Sequence, residues 1–183
     1  MTRKQELAQR TRQRLIEAAL RITSQHGASA LTLDAVAREA GVSKGGLLHH
    51  FPNKEALIEA PIQQFLADFE ALVMQYYAKD SITIGRWARA YIRATFDLHA
   101  YPLETWHAMM PLIQDEALLK VIEQDTAHWR ERLLNDGLER GRAMVLWQAA
   151  DASWIDKIFR IGRDDDDLRE AMREELLRLA GAE

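Results

Sequence analysis

The hydrophobic positions of this chain recur every three to four residues almost from end to end, the period of an amphipathic helix and not of a strand. From about Lys4 to His26, Leu15, Ala18, Ala19 and Ile22 share one stripe opposite charged residues, and Gly27 stands at a C-cap position. Thr32 is placed to cap a short helix running to Ala40, with Val36, Ala37 and Ala40 facing inward, and Gly41 ends it. Ser43 caps a second short helix from Lys44 to about His50, with Val42 and Leu47 directed inward, and Phe51-Pro52-Asn53 stops that one. Asn53 caps a longer helix from Lys54 to Tyr77, in which Leu57, Ile58, Phe65, Leu66, Phe69, Leu72 and Val73 keep helical spacing and Pro61 predicts a kink. Further helices are predicted from about Thr83 to Ala100, Leu103 to Met110, Asp115 to Asn135, Arg142 to Ile161 and Asp167 to Leu179, separated by Pro102, Pro111, Gly137, Gly141 and Gly162. No strand-like alternation, repeat or low-complexity tract interrupts them. The expectation is an all-α protein of about nine helices. An N-terminal three-helix helix-turn-helix domain fills residues 1–53, and a C-terminal helical-bundle domain for ligand binding and dimerisation fills residues 54–183.

Charge divides the chain in the same place. Residues 1–54 hold nine Lys/Arg against four acids, a net +5, whereas the remainder holds 15 basic and 24 acidic residues, a net −9. A basic head on an acidic body suits a protein that meets a polyanion with the head alone, although solvated helix charges also cluster by chance. Aromatics are divided too: of fourteen, only Phe51 lies in the first 54 residues, and all five Trp fall between positions 87 and 154. The absence of cysteine excludes disulfides, thiolate metal sites and a cysteine nucleophile. An N-terminus of alternating charge and the lack of any run of 18 uncharged apolar residues predict a soluble, cytoplasmic protein without a membrane span. Neither a Gly-rich phosphate loop, a nucleophile elbow nor a His-Glu-x-x-His motif is present, so an enzyme is not expected.

The informative stretch runs from Thr32 to Phe51, two short helices joined at a single Gly, as a helix-turn-helix requires. Ala37 is small enough for the helices to approach each other, and Gly41 permits the tight turn. Lys44-Gly45-Gly46 opens the second helix although each Gly weakens a helix by about 1 kcal/mol relative to Ala. A surface approached closely from outside explains that choice: backbone N–H groups at the helix start, with Ser43 and Lys44 beside them, would lie against phosphate or a groove edge, and His49 would reach a base or phosphate. The alternative is a plain loop with surface histidines at His49 and His50.

The run Leu15-Ile16-Glu17-Ala18-Ala19, Gly27, Thr32, Val36-Ala37, Ala40-Gly41-Val42-Ser43-Lys44-Gly45, Leu47, His50-Phe51 and Asn53-Lys54-Glu55-Ala56-Leu57 resembles the DNA-binding region of TetR/AcrR-type bacterial transcriptional repressors. The resemblance covers about the first 58 residues; beyond them only the helical pattern matches, with Ala149-Ala150-Asp151 similar to the multidrug-responsive branch. It implies a homodimer that binds a palindromic double-stranded DNA operator and leaves it when a small molecule enters the larger domain, with no cofactor. It further implies that Thr32 and Lys54 hold phosphate, while Ser43, Lys44, Gly45, Gly46 and His49 face the groove. Leu48 departs from the tyrosine many relatives place there, which exchanges a phosphate contact for a thymine-methyl contact. Thr23 stands where an aromatic core residue is common. The helix from Lys54, bending near Pro61, is expected to carry ligand occupancy to two recognition helices whose half-sites lie about 34 to 36 Å or more apart.

In the larger domain, Trp87, Tyr91, Phe96, Trp106, Met109, Met110, Trp129 and Trp147 form either plain core or the lining of a site for an aromatic or cationic molecule. Leu146, Ala149, Ala150 and Ser153, together with Leu168, Met172, Leu176 and Leu179, form two stripes suited to a dimer interface or to packing within one subunit. Glu104 with His107, and Asp125 with His128, each put an acid and an imidazole on one helical face, as in di-metal bundles, with Glu70 and Asp97 as further donors. A helical-bundle metalloprotein is therefore the alternative function, and surface ion pairs explain the same spacing. A DNA-compacting protein without sequence preference is a second alternative. Asp164 to Asp167 lacks calcium-loop spacing and reads as charge favourable to a helix N-terminus.

Overall fold

A computed structural model describes residues 2–97, 106–108, 110, 116–159 and 165–181, without the side chains of Ala117 and Lys157. Helix α1 spans Arg3–His26, α2 Leu33–Glu39, α3 Lys44–His50, α4 Lys54–Lys79, α5 Arg86–Phe96, α6 Glu116–Leu134, α7 Arg140–Phe159 and α8 Asp166–Leu179. Residues 106–108 add a helical segment, so the described residues hold nine α-helical stretches, a 3-10 turn at Ala28–Ala30 and no strand. No described helix is long and apolar enough to cross a membrane. Contacts group the chain into two units: Met1–Phe65 with Leu103–Ile122, and Leu66–Pro102 with Glu123–Glu183. Helices α4 and α6 each contribute to both.

In the first unit the caps anticipated from local sequence carry the turns. Thr2 and Gln5 form a capping box at the start of α1, and Gly27, at φ 81°, closes it. The hydroxyls of Thr32 and Ser43 accept from the amides of Ala35 and Gly46, each at 3.1 Å, and the Asn53 side chain accepts from Ala56 N–H at 2.8 Å. Gly41 adopts φ 65°, which turns the chain between α2 and α3. Leu15, Ala18, Val36, Leu47 and Leu57 are fully buried, and Phe51 nearly so, which welds α1, α2, α3 and the start of α4 around one apolar centre. The hydroxyl of Thr23 donates to Ala19 O at 3.0 Å, so the polar residue in this core is satisfied inside its own helix.

In the second unit α5 packs on α7 and α8, and α7 packs on α8. Two expected boundaries move. The helix expected from Thr83 begins at Arg86, because Gly85 takes a left-handed conformation and the carboxylate of Asp136 accepts from Trp87 and Ala88 N–H at 2.9 and 2.8 Å. Gly141, expected as a separator, lies in the first turn of α7, where Glu139 accepts from the Gly141 and Arg142 amides. Pro61 sits inside α4, where it removes the hydrogen bond its residue would give to Leu57.

Arg89 is the centre of this unit. Its guanidinium is wholly buried and donates to both oxygens of Asp80 at 2.8 and 2.9 Å, and to the carbonyls of Ile82, Ile84 and Ala180 at 2.6, 2.7 and 2.7 Å. Arg93 adds a bond to Asp80 at 2.9 Å. Hydrogen bonds from Arg89 above all, joined by Arg93, overcome burial and hold the Asp80 carboxyl well below the usual carboxylate range. One side chain thus ties the loop before α5 to the end of α8.

Candidate nucleic-acid interface and aromatic cluster

Helix α3 has two faces set by its own sequence. Leu47 and the following Phe51 are buried, whereas Ser43, Lys44, Gly45, Leu48 and His49 are exposed together. Gly46 is half-buried, and a Cβ there would stand 3.3 Å from the capping Ser43 Oγ, so the cap itself favours glycine. Gly45 differs. Its backbone lies outside the left-handed region, and a Cβ would meet nothing within 4 Å. The fold therefore makes no demand for glycine at position 45. Leu48 is an apolar side chain left 40% exposed on the same face.

Around that face the basic groups are held loosely. Lys44 Nζ lies 3.0 Å from an Asp34 oxygen, and Arg21 pairs with Glu39 at 3.0 Å, both pairs in open solvent. Thr32 is exposed at the start of α2 and Lys54 half-buried at the start of α4. His49 and His50 meet edge-on at 5.5 Å. Burial, then His49 and Arg12, lower the His50 pKa, which disfavours charge on this half-buried histidine, while His49 is exposed. Arg12 stands over the Phe51 ring at 5.3 Å.

Of the eight aromatic and methionine positions expected to line a site, Trp87, Tyr91, Trp129 and Trp147 converge in the second unit. Trp129 meets Trp87 at 6.4 Å and Tyr91 at 5.2 Å between ring centres, and the Trp147 indole N–H donates to Tyr91 Oη at 3.2 Å. Sequence reasoning missed Phe69, edge-on to both Tyr91 and Trp129, and Tyr77, stacked on Trp87 at 3.9 Å. Phe96 is buried elsewhere on α5, under the Arg169 guanidinium at 4.8 Å. Trp106 packs on Phe65 in the first unit, Met110 is half-buried, and Met109 lies outside the described residues.

Two carboxylates face the converged rings. Tyr91 Oη donates to Asp151 Oδ1 at 2.7 Å, and burial pushes the Asp151 carboxyl up to about 6. Burial also raises Asp125, with Glu70 adding to the shift and His128 opposing it. Burial first, and then the Asp151 charge, raise the Tyr91 phenol well above its usual range. Among the described residues no Lys, Arg or His forms an ion pair with Asp151. A desolvated acid inside aromatic walls is a place where a cation is stabilised.

Among the described residues the metal arrangement is not assembled. Glu104 lies outside the described residues, as does Asp164, and His107 is exposed. Asp97 accepts from the Tyr76 hydroxyl, Glu70 pairs with Arg132 at 2.9 Å, and His128 stands 3.5 Å from Glu70. Among the described residues no three His or acidic side chains could share a metal ion.

The expected dimer stripes are largely turned inward. Leu146, Ala150, Ser153 and Leu176 are buried within the subunit, Ala149 and Met172 half-buried, and only Leu168 and Leu179 exposed. Side chains packed in their own core have no area left to give a partner. The face of α7 that is exposed carries Val145, Gln148, Ala152, Ile155 and Phe159.

Comparison with known proteins places both parts of the chain. Residues 15–60 match the family model for bacterial regulatory proteins of the tetR family, and residues 85–181 match the tetracyclin repressor-like C-terminal domain. The HTH-type transcriptional regulator BetI of Burkholderia ambifaria is 31% identical over 69% of this chain and 65% of its own length; BetI of Burkholderia thailandensis is 32% identical over 61% and 59%. This chain therefore spans about six-tenths of the length of the relatives it matches. Two solved structures share the fold. NalD, the secondary repressor of the MexAB-OprM multidrug efflux pump in Pseudomonas aeruginosa, has a TM-score of 0.65 at 20% identity, covering 96% of this chain and 95% of NalD. The multidrug binding protein EbrR complexed with ethidium has 0.61 at 24%, covering 92% and 97%. With the C-terminal model spanning more than half of its length and the N-terminal model lying over the helix-turn-helix, the chain belongs to the TetR family of bacterial transcriptional regulators.

Proposed function

We propose that this protein is a cytoplasmic, ligand-responsive repressor that binds a palindromic operator as a homodimer and is released by an aromatic or cationic small molecule. Residues 1–53 read DNA and residues 54–183 bind ligand and dimerise. Gly45 carries the DNA half: it is unrequired by the fold and lies on an exposed helix face with Ser43, Lys44, Leu48 and His49. Removing the side chain there lets backbone approach the duplex closely, while Thr32 and Lys54 grip phosphate on either side. Leu48 is suited to a thymine methyl group in the major groove. Asp151 carries the ligand half, because a half-buried acid bonded to Tyr91, whose hydroxyl also accepts from Trp147, without a basic partner among the described residues, favours an organic cation. EbrR, which shares the fold, was crystallised with ethidium, an aromatic cation. The dimer is built on the exposed face of α7, together with the exposed Leu168 of α8.

Selection of bound fragments from random duplex DNA tests the first half, and a recovered palindrome is the expected result. Recovery of unrelated fragments, with binding that fades steeply as salt rises, marks a compacting protein instead. Addition of ethidium to the recovered complex, followed by fluorescence anisotropy of the labelled duplex, tests the second.

A further inference from the structure

Arg132, in the last turn of α6, has a setting unlike any other described basic residue in the second unit. Its guanidinium stands 4.7 Å from the centre of the Trp87 ring and 5.2 Å from that of Trp129, whose planes meet at 66°. Its Nη1 donates to Glu70 Oε1 at 2.9 Å, and Asp125 lies near enough to feel its charge. Behind Trp87 the stack continues through Tyr77 to Arg86, 4.1 Å from the Tyr77 ring. Two indole faces and a carboxylate surrounding one planar cation make an aromatic cage, the arrangement by which proteins hold quaternary and aromatic ammonium ions. Here the cage is filled by the chain itself. The Arg132 side chain is 27% exposed and Glu70 45%, so this plug touches solvent and is held by a pair of modest strength.

We propose that Trp87, Trp129 and Glu70 form a binding site for a monovalent organic cation, and that Arg132 is its resident competitor, displaced into solvent when the cation binds. The proposal rests on the reading of the effector as a cation drawn by Asp151; it extends that site through Trp129, whose ring lies 5.2 Å from that of Tyr91, and adds what sets its threshold. Arg132 is then a specificity residue: it lowers affinity for every cation and leaves neutral aromatic molecules unaffected, since only a cation gains from the position it vacates. Weak cations fail to open the cage, and response is confined to ligands whose own cation–π and ionic contacts exceed those of the guanidinium.

The test is titration of wild-type protein and Arg132→Gln with ethidium, tetraethylammonium and neutral 1-naphthol. Removal of the competitor should tighten binding of both cations by about 5- to 30-fold and leave 1-naphthol unchanged. Trp87→Leu added to Arg132→Gln should abolish that gain. In wild-type protein, the Arg132 Nε–H proton resonance, assigned by its loss in Arg132→Lys, should lose its ring-current shift on saturation with tetraethylammonium, a readout that needs no destabilising variant. Cation binding that is unchanged or weakened in Arg132→Gln, or an equal gain for 1-naphthol, overturns the cage while leaving a cationic effector standing. Failure of both cations to bind either protein overturns the cationic effector and the cage with it.

Discussion

At the scale of single residues, Gly45 and Asp151 both stand where folding alone would choose differently. Glycine in a helical backbone, with open space where its Cβ would be, costs stability without relieving any internal contact. Gly45→Ala should therefore raise folding stability by a few tenths to about 1 kcal/mol in urea denaturation, yet weaken operator binding in a gel shift. A variant that gains stability and binds DNA as before would show that nothing approaches that face closely. Asp151 makes the opposite kind of sacrifice, since an acid is kept where burial penalises its charge. Its folded pKa of about 6 exceeds the unfolded value of 3.8, so the folded state holds the extra proton between those limits. Stability should fall as pH rises from about 4 to about 6 and level off above. Asp151→Asn keeps an acceptor for the Tyr91 hydroxyl and should raise the melting temperature at pH 7.5 but not at pH 4. Ethidium affinity should run the other way, rising through pH 6 as the carboxylate ionises, and that rise should vanish in Asp151→Asn.

At the scale of elements, the distance over which a contact acts decides whether it can be read from the chain. Thr32, Ser43 and Asn53 cap helices three residues away, and Gly27 and Gly41 turn the backbone where they stand, so the whole helix-turn-helix was legible. The start of α5 was not, because Asp136 caps it from 48 to 49 residues downstream. The same holds for Arg89, which no local pattern singles out and which is buried against a carbonyl 91 residues away. Gly85 belongs to that fastening: a Cβ would come within 2.4 Å of Ala180 O. Replacing Arg89 by Met leaves three carbonyls without their donor and the buried Asp80 with only Arg93 and the Ile82 amide, which should cost roughly 3 to 5 kcal/mol. Urea denaturation gives the magnitude. Hydrogen exchange should further show faster exchange concentrated in α8 and residues 80–85, while α2 and α3 of the first unit keep their protection.

At the scale of the whole molecule, helix α7 explains why sequence alone left the dimer stripe and the subunit's own core as alternatives for the same residues. Leu146, Ala150 and Ser153 recur at helical spacing, and so do Val145, Ala152, Ile155 and Phe159 one position away; periodicity finds both faces apolar but cannot say which one the subunit consumes. The structure buries the first set and leaves Val145, Ile155 and Phe159 48 to 64% exposed. With Gln148 and Ala152 they fall at alternating steps of three and four, the heptad seam along which two helices pack knobs into holes. Such a row of large apolar side chains in water is the mark of an interface, and on a symmetric dimer it meets its own copy. Ile155→Glu puts a charge in the middle of that seam. It should convert a dimer into monomers by sedimentation at micromolar concentration and reduce affinity for a palindrome by about 10²- to 10⁴-fold, while a single half-site is bound as before. Leu119→Glu, at an equally exposed leucine of α6 that is not part of the seam, should leave the dimer intact. Leu146→Glu separates the two faces directly: a buried position should unfold the subunit, whereas a position truly at the interface would yield folded monomers. Unfolding with Leu146→Glu and folded monomers with Ile155→Glu together assign the outward face of α7 to the partner subunit.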